Sequence, residues 1–224
     1  MNFRCSRSEL VLASASPRRR ALLESLIQGF GIEPADIDEA VRADEPPARY
    51  VARMSNEKAA AVAIRHPQSM ILASDTAVIV DERILGKPCH AAEAAEMLRL
   101  LSGRRHQVFS AVTLRSSAAQ SNTRLSITTV EFAVLPASWI GDYVASGEPM
   151  DKAGAYAVQG AAAAWIRRIE GSYSGVVGLP LFETAELLRE AGLVDPAGEP
   201  SISESGRQTV ANTYSKLRTA PDER

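Results

Sequence analysis

Ser14-Ala15-Ser16-Pro17-Arg18-Arg19-Arg20 is the stretch whose reading decides the fold. The apolar run Leu10-Val11-Leu12-Ala13 enters it, and the helical pattern Ala21-Leu22-Leu23-Glu24-Ser25-Leu26 leaves it. Ser16 suits an N-cap. Pro17 suits the first helical position, because the N–H it lacks would be unpaired there anyway. The expectation is strand, tight turn, helix. Three arginines then crowd the positive end of the helix dipole, where Asp or Glu is the usual choice. Free N–H groups and guanidinium forks at a helix start make a phosphate site. The plainer alternative is an ordinary helix start with solvated arginines.

Around this stretch the chain is of a soluble α/β kind. Its 224 residues are 46% hydrophobic and 23% charged, enough for one sizeable core. The net charge of -2 points to neither a nucleic-acid backbone nor an anionic membrane, so positive charge at a site must be local. Cys5 and Cys89 are the only cysteines, which excludes a thiolate zinc site and speaks against a disulfide framework. No leader pattern and no run of bilayer length is visible, and the reading is a reduced, cytoplasmic protein. The oligomeric state is left open between a monomer and a homodimer.

Downstream, Glu33 to Glu39 is acidic, either a polar loop or carboxylates near a metal-bound phosphate. Tyr50, Val51, Met54, Ala59, Val62 and Ala63 recur at helical spacing between Ala48 and Ile64, with Lys58 among them. A helical lysine is usually solvated. Met70 to Ala73 and Ala77 to Val80 are apolar strands around Ser74-Asp75-Thr76. A carboxylate inside an apolar run is costly unless paired, hydrogen-bonded or metal-bound. A functional Asp75 is preferred over a turn between two strands. Asp81-Glu82-Arg83 reads as a hairpin turn, and Pro88 keeps Lys87 in a loop.

Ala91 to Leu101 reads as a helix ending at Ser102-Gly103. Gln107 to Leu114 and Ser126 to Val134 read as strands joined by the polar stretch Arg115 to Arg124. Trp139 to Ala145 reads as a short helix. Gly147 to Gly160 carries three glycines and a proline, against regular structure and toward a functional loop. Ala164 to Ile169 returns as a strand, Gly171 to Gly175 as a turn, and a last helix runs from Leu179-Pro180 to Leu188. Residues 8–194 read as the folded domain, and 195–224 as a polar, disordered tail.

Five of these stretches together resemble the Maf family of nucleoside triphosphate pyrophosphatases: Leu12 to Arg19, Ser74-Asp75-Thr76, Gly86-Lys87-Pro88, Gly147 to Gly160, and Gly171 to Pro180. The resemblance spans Leu10 to Val194. It implies an α/β fold related to inosine triphosphate pyrophosphatase, with a bent mixed sheet, flanking helices and a cleft between two lobes. It implies hydrolysis of the α–β phosphoanhydride with a divalent metal, Mg2+ or Mn2+. The matching positions are Ser14, Arg18, Arg19, Glu39, Lys58, Asp75 and Lys87, with Asp75 as proton acceptor. Arg18, Thr76 and Gln159 match the type acting on dTTP and UTP, whereas the 7-methyl-GTP type carries Trp, Gln and Glu.

The chemistry of the residues agrees. Arg18, Arg19, Lys58 and Lys87 supply positive charge for a triphosphate, and Glu39 and Asp75 supply oxygens for a hard cation. Either carboxylate can orient the water, and the resemblance favours Asp75. Gln159 offers a donor and an acceptor to a pyrimidine imide edge. Ala157-Val158 departs from the family's usual Gly-Ile and bears on pocket shape. His66, His90 and His106 sit in no ligand spacing. The competing readings are a nucleotide-binding regulator of septum formation and, by fold analogy alone, a triphosphatase for deaminated purines.

Overall fold

Leu10–Leu12 (β1), buried along its whole length, runs parallel to Met70–Val80 (β3), pairing Leu10 with Met70 and Leu12 with Leu72. The structure is a computed structural model that describes residues 9–116 and 120–194; the expected tail at 195–224 lies outside the described residues. On its other side β1 pairs with the short strand Gly31–Ile32 (β2), which the sequence reading missed. Pro17–Glu24 (α1) begins where expected, with the Ser16 hydroxyl accepting from the Arg19 N–H at 3.3 Å.

Pro47–Ala63 (α2) buries Tyr50, Val51, Met54, Ser55, Lys58, Ala59 and Val62. That spacing is one face of a helix, and Lys58 is on it. The plainer reading of Lys58 as a solvated side chain is therefore overturned. β3 is one continuous strand of 11 residues, so no turn interrupts it at Asp75. Its Asp81-Glu82 turn has both residues at positive φ, the geometry that matches strand twist in a tight hairpin. Arg83–Leu85 (β4) folds back on Val78 to Val80.

Ala91–Leu101 (α3) ends as expected at Ser102-Gly103. Arg105–Arg115 (β5) and Ser121–Phe132 (β6) are antiparallel and longer than expected. The polar residues Ser121 to Arg124, read as part of a connection, belong to β6. They are held there by hydrogen bonds, since Thr123 bonds Thr113 and Asn56 and Ser121 bonds Asn56. Ala137–Ala145 (α4) follows, and then short 3-10 turns over Glu148–Asp151, Ala153–Ala155 and Ala161–Trp165. Ile166–Glu170 (β7) starts two residues later than expected and closes the sheet against β6. The expected turn at Gly171 to Gly175 is instead the cap and start of a helix, Tyr173–Val177 (α5), with Ser172 accepting from the Gly175 N–H. Leu181–Glu190 (α6) is the last element.

The described strands form a mixed sheet of order β2-β1-β3-β5-β6-β7, with β4 on β3. Odd residues of β3 pack under α2: Ile71 and Ala73 meet Ala59 and Val62, and Ala77 and Ile79 meet Val51 and Met54. Even residues face the opposite way, into two separate cores. Leu72 joins Leu12, Leu23 and Leu187, while Val78 and Val80 join Leu98, Phe132 and Tyr156. Between those two cores Ser74 and Thr76 meet polar partners, the Gly178 carbonyl and Ser110, and a cleft opens beside Thr76. No helix among the described residues is long and apolar enough to cross a membrane.

Candidate active site

The cleft exists because β3 is paired unevenly. On one edge β1 covers residues 70–72 and β4 covers 78–80, leaving Ala73 to Ala77 without a strand neighbour on that side among the described residues. Successive side chains of a strand point to opposite faces. At an open edge one cavity can reach both faces, and Asp75 and Thr76 line the same one here, of about 390 Å³.

Nine of the residues singled out from the sequence line it: Ser14, Arg18, Arg19, Glu39, Lys58, Asp75, Thr76, Lys87 and Gln159. They arrive from the β1–α1 turn, the acidic loop, α2, β3, the Gly86-Lys87 loop and the glycine-bearing segment. Arg20 does not join them. It turns outward to Glu24 at 2.8 Å, and for this arginine the solvated alternative holds.

At the α2 side, Lys58 Nζ donates to Asp75 Oδ1 at 2.6 Å and lies 2.8 Å from Glu39 Oε1. Lys58 and Asp75 are buried, while Glu39 is open to the cavity. Burial alone would raise the Glu39 carboxyl. The hydrogen bond and charge of Lys58, with help from Lys87 and Arg19, outweigh it and hold Glu39 below the usual carboxylate range. The Tyr50 hydroxyl donates to the Glu39 carbonyl at 3.1 Å and so pins the acidic loop to α2. Burial, with the charges of Asp75 and Glu39, pushes the Tyr50 phenol up to about 12.

The cationic side is built on helix ends. Arg19 Nε donates to the Gly178 carbonyl at 2.8 Å, and Ser74 Oγ donates to the same oxygen at 2.9 Å. These bonds fix the guanidinium stem and leave its other nitrogens for the cavity. Desolvation lowers the Arg19 pKa, and Asp75 and Glu39 oppose that shift. The Ser14 hydroxyl accepts from the Ser16 N–H at 3.1 Å, shaping the turn before α1. Arg18 reaches across the cleft to Asp151 at 3.5 Å. Asp151 also pairs with Lys152, which is tied to the Glu148 carbonyl at 2.6 Å.

The segment carrying Gln159 is held from behind. The Tyr143 hydroxyl donates to Glu148 Oε1 at 2.9 Å and accepts from the Ala157 N–H at 3.1 Å. A Cβ on Gly160 would sit 1.7 Å from Glu148 Oε1, so any larger residue there displaces that carboxylate. Tyr156 is anchored by His106 Nε2 at 2.8 Å.

Sequence reading missed Tyr50, Asp151, Lys152 and Tyr156 as lining residues. Tyr50 was indistinguishable from a core residue at helical spacing, and Lys152 from a loop cation. For a metal, the donors on offer are Glu39 and Asp75. No group of three His, Cys, Asp or Glu that could hold a metal ion occurs among the described residues. Two hard carboxylates converging at one wall suit a cation that takes its remaining ligands from phosphate and water.

Residues 9–191 match the family described as Maf-like protein. A dTTP/UTP pyrophosphatase of Anaeromyxobacter dehalogenans is 50% identical over 194 residues, covering 85% of this chain and 98% of that protein. One of Cupriavidus metallidurans is 52% identical over 198 residues, covering 83% and 98%. Among solved structures, the Staphylococcus aureus Ham1 protein superposes with a TM-score of 0.40 at 15% identity, over 56% of this chain and 72% of that one.

Proposed function

The chain belongs to the Maf family, and from that premise we propose that it hydrolyses dTTP and UTP to the nucleoside monophosphate and pyrophosphate. The observation that carries the reading is a single cavity lined by Asp75, Arg18, Arg19, Lys87 and Gln159 together. Relatives at 50% and 52% identity that bear the name dTTP/UTP pyrophosphatase support it.

In this reading the triphosphate lies along Arg18, Arg19 and Lys87, with the start of α1 and Ser14 beside it. Asp75 takes a proton from a water as its oxygen attacks the α-phosphorus. The bond from that phosphorus to the bridging oxygen breaks, and pyrophosphate leaves with the bonding electrons. The cationic side chains stabilise the charge that grows on it. Lys58 keeps the Asp75 carboxylate oriented through their 2.6 Å hydrogen bond. Glu39 and Asp75 are the residues that would hold a divalent cation, Mg2+ or Mn2+. That ion supplies charge neutralisation on the phosphate oxygens when bound. Gln159 and Thr76 read the base. Such a protein removes these nucleotides from the cytoplasmic pool.

The test is the purified protein with magnesium and a panel of triphosphates, monitoring pyrophosphate. Turnover of dTTP and UTP well above that of 7-methyl-GTP and ITP is the expected result. Equal or greater turnover of 7-methyl-GTP defeats the specificity. Preference for ITP returns the fold-analogy reading.

A further inference from the structure

Ser110 is buried on β5, directly across from Thr76 on β3. Its hydroxyl donates to the Gly175 carbonyl at 2.7 Å, an oxygen near the end of α5. A serine hydroxyl has one proton. With that proton committed to Gly175, the 3.0 Å contact between Thr76 Oγ1 and Ser110 Oγ has a single polarity: Thr76 donates and Ser110 accepts. Thr76 has then spent its own only proton. What its oxygen can show the cavity is lone pairs.

We propose that Ser110 is a positioning residue that makes Thr76 an obligatory acceptor, and that this polarity selects uracil and thymine over cytosine. The proposal rests on the pyrophosphatase reading above. Uracil and thymine present an N3–H donor at the centre of the base edge. Cytosine presents a lone pair at that position. Gln159 cannot make the distinction unaided, because its amide carries both a donor and an acceptor and can turn over to suit either base. Thr76 cannot turn, since rotation of its hydroxyl toward the cavity would abandon Ser110. A fixed acceptor facing the cytosine lone pair is a mismatch of the kind that discriminates bases strongly, because a polar group is left unpaired.

The experiment is Ser110→Ala, with kcat/KM for UTP and CTP compared in the same preparation. Without Ser110, the Thr76 hydroxyl is free to donate into the cavity. The UTP-to-CTP ratio is expected to fall about tenfold, chiefly through the KM for CTP. Ser110→Thr, which keeps a hydroxyl at the same place, is expected to restore the ratio. Thr76→Val removes the acceptor without touching the Ser110–Gly175 bond, and its ratio must fall too should Ser110→Ala not fold. A merely structural Ser110 predicts that both substrates lose activity in proportion; that result, or an unchanged ratio, overturns the assignment and leaves the pyrophosphatase reading standing. Failure of the unsubstituted protein to release pyrophosphate from either UTP or dTTP overturns both.

Discussion

Lys58 Nζ sits 2.6 Å from Asp75 Oδ1, and neither side chain is more than 8% exposed. The lysine belongs to the inner face of α2 and the aspartate to the open edge of β3, so the contact couples the helix to the strand that carries Asp75. Breaking a buried pair from one side leaves an uncompensated charge, which typically costs about 3 kcal/mol or more. Lys58→Met is therefore expected to lose about that much stability in urea, and at least about 100-fold in turnover. Adding Asp75→Asn to it removes the orphaned charge. The double variant should regain most of the stability and none of the activity.

The Glu148, Tyr143 and Ala157 chain predicts a separable effect on substrate affinity. Gly160→Ala would drive a methyl group into the Glu148 carboxylate. The carboxylate must then leave Tyr143, which loosens the Ala157 N–H it anchors. Steady-state kinetics with UTP should show KM rising about tenfold or more, with kcat much less affected, because the base segment moves and Asp75 does not. Tyr143→Phe should reproduce the pattern more weakly.

Gly154 reports on packing beneath the same segment. Its φ is +66°, and an added Cβ would lie 2.7 Å from a Val78 methyl. Gly154→Ala combines left-handed strain with overpacking, each a matter of about 1–3 kcal/mol. A denaturant midpoint lowered at constant slope is the expected readout. Its N–H also bonds the Gly86 carbonyl at 3.0 Å, so the Lys87 loop should loosen with it.

Acid sensitivity should come in part from His106. Burial pulls its pKa down to about 4, and its Nδ1 has no hydrogen-bond partner among the described residues that would welcome a proton. The unfolded chain, with an ordinary histidine, binds a proton through the window from about 6.5 to 4 while the folded chain does not. Stability must therefore fall as pH falls across that window, by up to about 1.4 kcal/mol per pH unit from this group. His106→Gln, compared with the unsubstituted protein in urea at pH 7, 6, 5 and 4, should flatten that slope.

Part of the candidate site was legible because its residues break local rules, while Ser14, Lys87, Thr76 and Gln159 were singled out only by the family resemblance. Asp75 interrupts an apolar strand, arginines stand at the wrong end of a helix dipole, and Ser16-Pro17 announces that helix. The fold was legible where periodicity was strong, as in α2 and α3. What failed was long-range. The polar start of β6 is held by Thr113 and Asn56, neither of which is near it in sequence. The capped start of α5 looked like a turn because Ser172 and Gly175 are turn residues as well as cap residues. Lys58 was ambiguous until the buried face of α2 was known. Ser110 carried no signal at all, since its importance lies in a proton given to a carbonyl 65 residues away.

The central claim is that the Asp75 carboxylate, held against Lys58 at the open edge of β3, accepts the proton of the attacking water. Its most direct measurement is pyrophosphate release from UTP by Asp75→Asn, alongside nucleotide binding by the same protein. The account predicts turnover lower by about 100-fold to 10,000-fold with the protein folded and UTP still bound. Full turnover by Asp75→Asn would contradict it.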